Sequence, residues 1–420
     1  MSNAPTPGVE SQNLSARRPK PVRYTPLPEF LFRLLRTRWP IPCVPRWWAI
    51  VTLRDDVEEV FSRPDIFTVP FAKESARLNG GGKEGTPFLL GIDNEKEHDD
   101  QLVDVMKVFR RSDVIEVGEI SKRRATEIIR DSKGRLDAIS GLITEVTIDI
   151  CSEYLGVRVD DREDFTEALV RLSDHLFGKP PINPKPAVDK KADLLRDIVD
   201  DAIRAERLCP RKDGKTVLSR LVSSEMPDKK PDKKRDDFIR AVILGLIVGF
   251  VPTNTLAGAH ILQMLLRRPG FLGEAVAAAQ SGDDILLGRC LFEALRFKPI
   301  NWGPFRECAQ DYVIAAHTKR RQRIRKGTKV LVCTMSAMFD AGKIKHPYQF
   351  LPERPAFDYM HFGFGIHWCV GAFVAQAHLV QTFKPLLLKE DLRRASGRAG
   401  RLKRWPGATI FPRRLFVEFE

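Results

Sequence analysis

Phe362-Gly363-Phe364-Gly365-Ile366-His367-Trp368-Cys369-Val370-Gly371 surrounds a single thiol with glycines and aromatics, immediately ahead of an apolar stretch of helical periodicity. A sulfur at the end of a glycine-rich loop can receive backbone N–H groups, which favour thiolate over thiol, and a thiolate is a strong metal ligand. Gly363, Gly365 and Gly371 mark positions where the chain needs a positive φ or a close approach to a flat group. A lone Cys-x-Gly would read as an inert buried thiol, because free cysteines are among the most buried residues.

The ten residues resemble the haem loop of the cytochrome P450 family, Phe-x-x-Gly-x-His/Arg-x-Cys-x-Gly, with every fixed position filled. The resemblance implies haem b with Cys369 as axial iron ligand, and Phe362, Gly365, His367 and Gly371 shaping the cofactor site. Upstream, Glu293 and Arg296 stand three apart in an apolar helical stretch and so share a face. Alone they would be a surface pair worth about 0.2–0.5 kcal/mol. About seventy residues ahead of the cysteine, the resemblance makes them a structural pair that locks this helix to the segment before the haem loop.

Arg306, in Gly303-Pro304-Phe305-Arg306-Glu307, is followed by a Gly turn and the run Lys329-Val330-Leu331-Val332, which is similar to the family's strand pair. In that register Arg306 and His367 are donors to the haem propionates, where guanidinium-to-carboxylate bonds make chemical sense. Asp93-Asn94-Glu95-Lys96-Glu97-His98 resembles the start of the family helix that crosses one haem edge, with His98 as a propionate-binding histidine. Four residues on, Leu102 stands where the family commonly has a second basic residue, so one cofactor contact is expected to be missing or supplied elsewhere. The resemblance spans about residues 25–420.

The composition agrees with one large, cofactor-centred domain. Hydrophobic residues make up 43% of the 420 and charged residues 30%, with no obvious interdomain linker. Seven scattered cysteines, an odd number without Cys-x-x-Cys spacing, argue for a reducing, cytoplasmic compartment. Residues 1–24 are rich in Pro, Ser and Arg and read as a disordered tail without the apolar core of a signal peptide. The longest apolar run, Ala241 to Pro252, is too short to span a bilayer, so no integral membrane segment is expected. The net charge of +14 suggests acidic partners. No nucleic-acid motif accompanies it, and the resemblance implies a ferredoxin or flavoprotein electron donor. Arg393, Arg394, Arg398, Arg401 and Lys403 read as a solvated, Gly-broken loop.

Periodicity predicts a mainly α fold with minor β: helices at roughly 163–177 and 188–207, and short strands near 48–53, 312–316, 329–333 and 409–418. The loop from Gly178 to Pro186 joins two helices that, by the resemblance, roof a pocket for a small lipophilic substrate, as a proline-stiffened lid. A charged repeat, Pro227-Asp228-Lys229-Lys230 and Pro231-Asp232-Lys233-Lys234, reads as a surface loop. The fold expected is a single P450-like domain with haem buried between long helices.

From Phe238 to about Leu266 runs the apolar helix that passes over the oxygen-binding face of haem in the family, where the usual pattern is Ala/Gly-Gly-x-Asp/Glu-Thr. With Gly249 as the second small residue, Val251 replaces the acid and Pro252 the alcohol, and neither can relay a proton. Thr253 is turned by about 100° from Pro252 around the helix. Pro252 also removes the bond to the Val248 carbonyl, which should kink the helix and leave that oxygen able to hold a water or a peroxide. Gly249 and Pro252 both disfavour a helix interior and so need a reason to be there. Three readings follow: a monooxygenase whose protons travel through water, through Thr253 or Asn254 in a shifted register, or through a substrate hydroxyl; a peroxide- or hydroperoxide-dependent enzyme; or a non-catalytic haem-based sensor.

Overall fold

The computed structural model describes residues 23–83, 85–211, 214–224 and 232–420. Most of the expected tail and most of the charged repeat therefore lie outside the described residues. The boundary of the tail moves, because Arg23 bridges to Gln349 and the Tyr24 N–H bonds the Tyr348 carbonyl at 2.9 Å.

Helices dominate, as the periodicity predicts. Those that build the site are α1 (Glu95–Val108), α2 (Val114–Asp131), α3 (Arg162–Leu176), α4 (Pro186–Leu208), α5 (Asp232–Arg267), α6 (Asp284–Phe297) and α7 (Ala372–Leu387). Their starts follow local chemistry. Asn94, Asp161 and Asp283 each accept a backbone N–H from the first turn of α1, α3 and α6, at 3.0, 2.9 and 2.9 Å. Their α-helical interiors are apolar on the buried faces, and α5, threaded through the middle of the molecule, is buried nearly all round. By length and composition α5 could cross a membrane, contrary to the limit drawn from its apolar run, but most of its apolar stretch is buried inside the fold.

The largest sheet has five short strands, in the order β1 (Cys43–Val44), β2 (Trp48–Val51), β5 (Lys329–Val332), β4 (Phe305–Cys308), β3 (Phe67–Thr68). β2 and β5 run parallel, with Trp48 opposite Lys329, and β4 returns antiparallel, with Arg306 opposite Val330. This pairing holds Arg306 on a strand flanked by β5 and β3. A separate hairpin, β6 (Lys403–Arg404) with β7 (Pro412–Arg414), packs Trp405 and Phe411 against Leu256 of α5 and Val170 of α3. Arg393 and Arg394 form a further strand paired to Phe416–Glu418, so the basic run is structured where a solvated loop was expected. One apolar core extends from Ile41 to Phe419 and joins helices and sheet.

Candidate active site

The cysteine loop is closed by its own backbone. The Cys369 N–H bonds the Phe362 carbonyl at 2.9 Å, and the Trp368 N–H bonds the Gly365 carbonyl at 3.0 Å. Gly363 and Gly365 take positive φ of 77° and 71°, and a Cβ at Gly365 would meet the Phe61 carbonyl at 2.8 Å. Gly371 differs from expectation: its φ is −85°, and a Cβ there would meet only Cys369 Sγ, at an ordinary contact distance of 3.9 Å, so neither positive φ nor a close approach requires glycine. The Gly371 N–H donates to that sulfur, at the start of α7. Burial nevertheless pushes the thiol up, and the single N–H only opposes it. The expectation that the loop alone favours thiolate is thus corrected; a bound cation is what would deprotonate Cys369.

Cys369 opens onto an internal cavity of about 1190 Å³ lined mainly by apolar side chains, including Phe292, Phe362 and Val374. That volume exceeds the roughly 300–1,000 Å³ of ordinary ligand pockets, leaving room for a cofactor and a substrate together. Gly249, Phe250, Thr253, Asn254 and Ala257 of α5 line the same cavity. Val251 is fully buried in the core, and neither it nor Pro252 reaches the cavity wall. The phase of α5 favours a register shifted by one from the sequence reading, with Gly249 at the first small position of the pattern and Thr253, four residues on, at the alcohol's. Pro252 then stands at the acid's position. The Thr253 hydroxyl donates to the Gly249 carbonyl, and Asn254 Nδ2 donates to the Phe250 carbonyl at 2.8 Å.

The carbonyl that Pro252 frees is not left for a water or peroxide. Ser173 of α3 donates its hydroxyl to Val248 O at 3.2 Å, and both groups are buried. Replacing Ser173 with alanine strands that carbonyl, so a loss of about 1–3 kcal/mol is expected in urea denaturation. An unchanged midpoint would mean the bond contributes nothing.

Around the loop, Arg306 is buried and spends one N–H on its neighbour's carbonyl, Phe305 O, at 3.0 Å. Burial lowers it to about 10, an unusual state for an arginine and one that an anion in the cavity would relieve. His367 also lines the cavity; its Nε2 pairs with Asp93 at 3.0 Å, while its buried Nδ1 has no partner. Burial, then Arg306, hold His367 below the usual histidine range against the opposing pull of Asp93. His98 does not line the cavity. It packs edge-on against the His367 ring at 5.5 Å, so its expected direct contact becomes an indirect one through His367. Leu102 is partly buried against the core and supplies no charge.

The comparisons with known proteins agree with this geometry. Residues 285–394 match the family model described as Cytochrome P450. The heme domain of CYP116B5 from Acinetobacter radioresistens superposes with a TM-score of 0.76 at 18% identity, covering 94% of both chains. Over residues 285–394 the chain is similar to cytochrome P450, and its fold is that of a P450 heme domain. Among curated relatives, a cyclomarin C epoxidase of Salinispora arenicola is 27% identical over 250 residues, 59% of this chain and 59% of that protein. A bifunctional dioxygenase–epoxy alcohol synthase of Pyricularia oryzae is 32% identical over 124 residues, 30% of this chain and 11% of that protein. The chain thus spans less than two-thirds of either relative.

The residues present fit the P450 cofactor, haem ligated by cysteine thiolate. One sulfur opens on the cavity, Arg306 has N–H groups free of protein partners, and the walls between are apolar and aromatic. Cys369 would hold the iron, Arg306 and His367 the carboxylate edge, and Phe362 the flat face.

Glu293 and Arg296 are fully buried and paired twice, at 2.9 and 2.7 Å. Arg296 also donates to the carbonyls of Met338, Pro347 and Gln349. Glu293 accepts from the Leu351 N–H at 3.1 Å and the Tyr359 hydroxyl at 2.8 Å, with Arg354 Nε 3.5 Å away. This ties α6 to the segment leading into the P450 cysteine loop, as expected. Arg354, Tyr359, Asp93 and Ser173 were missed in the sequence. Each acts across a fold contact, and no local spacing marks it.

Proposed function

We propose that the chain is a haem-thiolate monooxygenase that oxidises a small lipophilic substrate with dioxygen, drawing electrons from a ferredoxin or flavoprotein. The observation that carries this reading is that Cys369, Gly249 and Thr253 line one apolar cavity large enough for cofactor and substrate. Haem bound through Cys369 supplies the oxidation chemistry, with sulfur donating electron density. The chain binds, orients and dries the site. Phe292, Phe362 and Val374 exclude water, and Arg306 anchors the cofactor's charged edge. Thr253 Oγ1 commits its proton to the Gly249 carbonyl and keeps its lone pairs free to accept one from the cavity side. The burial of α5 within the fold supports its reading as a core helix rather than a membrane span.

A peroxide-driven reaction is the second reading. It is favoured by Pro252 at the acid's position and by the scarcity of carboxylates around the cavity. Among the described residues lining it, the one carboxylate is Asp174, engaged by the N–H and hydroxyl of Thr409 at 3.3 Å. The epoxy alcohol synthase relative is consistent with it.

The test compares turnover under oxygen with a reductase system against turnover with hydrogen peroxide alone. Reductase-driven turnover should be the faster. Thr253→Val should lower it about 10²-fold, the scale of a lost proton-transfer group, and leave peroxide turnover unchanged. Efficient peroxide turnover beside sluggish reductase turnover overturns the dioxygen reading. Carbon monoxide binding with no product under either condition leaves a sensor.

A further inference from the structure

The helix Leu27–Arg38 is packed inside out. Leu27, Phe30, Leu31 and Leu34 fall within about a 100° arc of its surface, and all four face solvent, Leu27 and Phe30 with 82% and 61% exposed. Glu29 and Arg36 lie on the opposite arc and are buried as an ion pair. The Tyr348 hydroxyl donates to Glu29 at 3.0 Å, and Arg36 donates to the Ser336 hydroxyl at 2.8 Å. An amphipathic helix on a soluble protein turns its apolar stripe inward and its charges to water. Here the buried pair holds the reverse orientation, because rolling the helix over would break it.

The apolar surface continues past the helix. Phe32, Leu35, Ile50 and Leu331 form one small cluster that seats the helix on a face of the sheet. Trp48 stands two residues before Ile50 and so on that same face, exposed and opposite Val44. Trp39 at the helix end and Trp47 in the turn between β1 and β2 are 71% and 74% exposed. Trp302 meets the Phe32 ring edge-on at 5.5 Å and is half-exposed. Four of the six tryptophans in the chain therefore stand around one face. Single exposed apolar side chains are ordinary, whereas a contiguous face of them marks an interaction site. Arg33 on the helix flank, Arg38 at its end and Arg46 beside Trp47 are exposed, and among the described residues no carboxylate pairs with them. Lys329, opposite Trp48, is already paired with Glu307 at 2.5 Å.

We propose that this face docks on the surface of an anionic phospholipid bilayer, with the helix Leu27–Arg38 lying in the headgroup layer. Tryptophan suits that layer, where its ring meets hydrocarbon and its N–H meets water. The unpaired arginines can keep their heads among phosphates while their stems lie over the apolar surface. A second copy of this chain fits less well, because setting the face against itself gathers those arginines without counter-charges. Residues 1–22 fit less well too, since Met1, Val9, Leu14 and Val22 are the large apolar side chains they have to offer. Leu27, Trp48 and Trp302 are exposed and also line the internal cavity, so a mouth of the cavity lies within the docked face and opens toward the lipid.

The experiment sediments the haem-loaded, full-length protein with phosphatidylcholine vesicles made with and without phosphatidylglycerol. Binding to the anionic vesicles should be at least tenfold the stronger, should fall as salt rises, and should shift tryptophan emission to the blue. Phe30→Ser with Leu34→Ser should weaken it at least tenfold, and Arg38→Glu with Arg46→Glu should abolish the preference for anionic vesicles. All four side chains are exposed, so both variants should keep the carbon monoxide spectrum of the parent. Vesicle binding that the apolar substitutions leave unchanged overturns the proposal, as does failure to bind either vesicle. Equal binding to neutral and anionic vesicles overturns the anionic assignment. A dimer in sedimentation velocity that Phe30→Ser with Leu34→Ser splits, in place of vesicle binding, gives the face to a second copy and overturns it as well. Attachment is read without turnover, so its failure is distinct from failure of the monooxygenase reading.

Discussion

Cys369→Ala will abolish the Soret band that marks carbon monoxide on a reduced, thiolate-ligated haem. The effect is all-or-none because no other thiol can take over. Among the described residues Cys369 is the one cysteine lining the cavity, while Cys151, Cys290, Cys308 and Cys333 are buried in packed surroundings. Burial drives those four thiols well above the ordinary cysteine range. The sulfur of Cys369 accepts one backbone N–H and otherwise opens on the cavity, so its removal should leave the helical circular dichroism intact. Cys369→His serves as the companion variant, expected to keep bound haem with a spectrum lacking the thiolate signature. A variant that retains the thiolate band would remove Cys369 as ligand.

The second large effect belongs to Glu293. Its carboxylate faces Arg296 and Arg354 with negligible exposure, so Glu293→Ala leaves two guanidinium groups close together inside the fold without a counter-charge. Breaking a buried pair this way typically costs about 3–5 kcal/mol, a large share of the roughly 5–15 kcal/mol that holds a protein folded. The expected result is a collapse of the urea midpoint, together with loss of haem uptake, because Glu293 also receives Leu351 and Tyr359 from the segment that leads into the cysteine loop. Arg296→Lys should fail nearly as badly, since an ammonium cannot reproduce the two-pronged bond. A midpoint within experimental error of the parent protein would reduce the network to ornament.

What could be read in the chain was what short-range geometry demands. The positive φ of Gly363 and Gly365, and the sulfur that follows, are constraints on residue type within ten positions, and they stand in the sequence. Glu293 and Arg296 are legible for the same reason, being one helical turn apart. The helices expected at roughly 163–177 and 188–207 run from 162 to 176 and from 186 to 208, the first starting on an aspartate cap and the second on a proline expected in the loop. Contacts closed by the tertiary fold were not legible. Asp93 meets His367 across 274 positions and Tyr359 meets Glu293 across 66, and neither separation leaves a local trace. The register around Pro252 failed differently. Gly249 satisfies either small position of the family pattern, and only the phase of α5 within the cavity separates the two, by putting Thr253 on the wall and Val251 in the core. His98, carried over by resemblance alone, lies one layer further back, against the His367 ring and off the cavity wall, a depth that a motif match does not carry.

Pro252 carries a mechanical consequence for the roof of the cavity. The oxygen it frees on α5 is held by a hydroxyl from α3, so the ceiling and the central helix are stitched at Ser173. Lifting α3 would strand two polar atoms in a dry environment. Breathing of the ceiling is therefore restrained near that stitch and falls to the Gly178–Pro186 connection, where Gly178 and Lys179 border the opening. A residue unsuited to a helix interior thereby decides which end of the roof can act as the doorway.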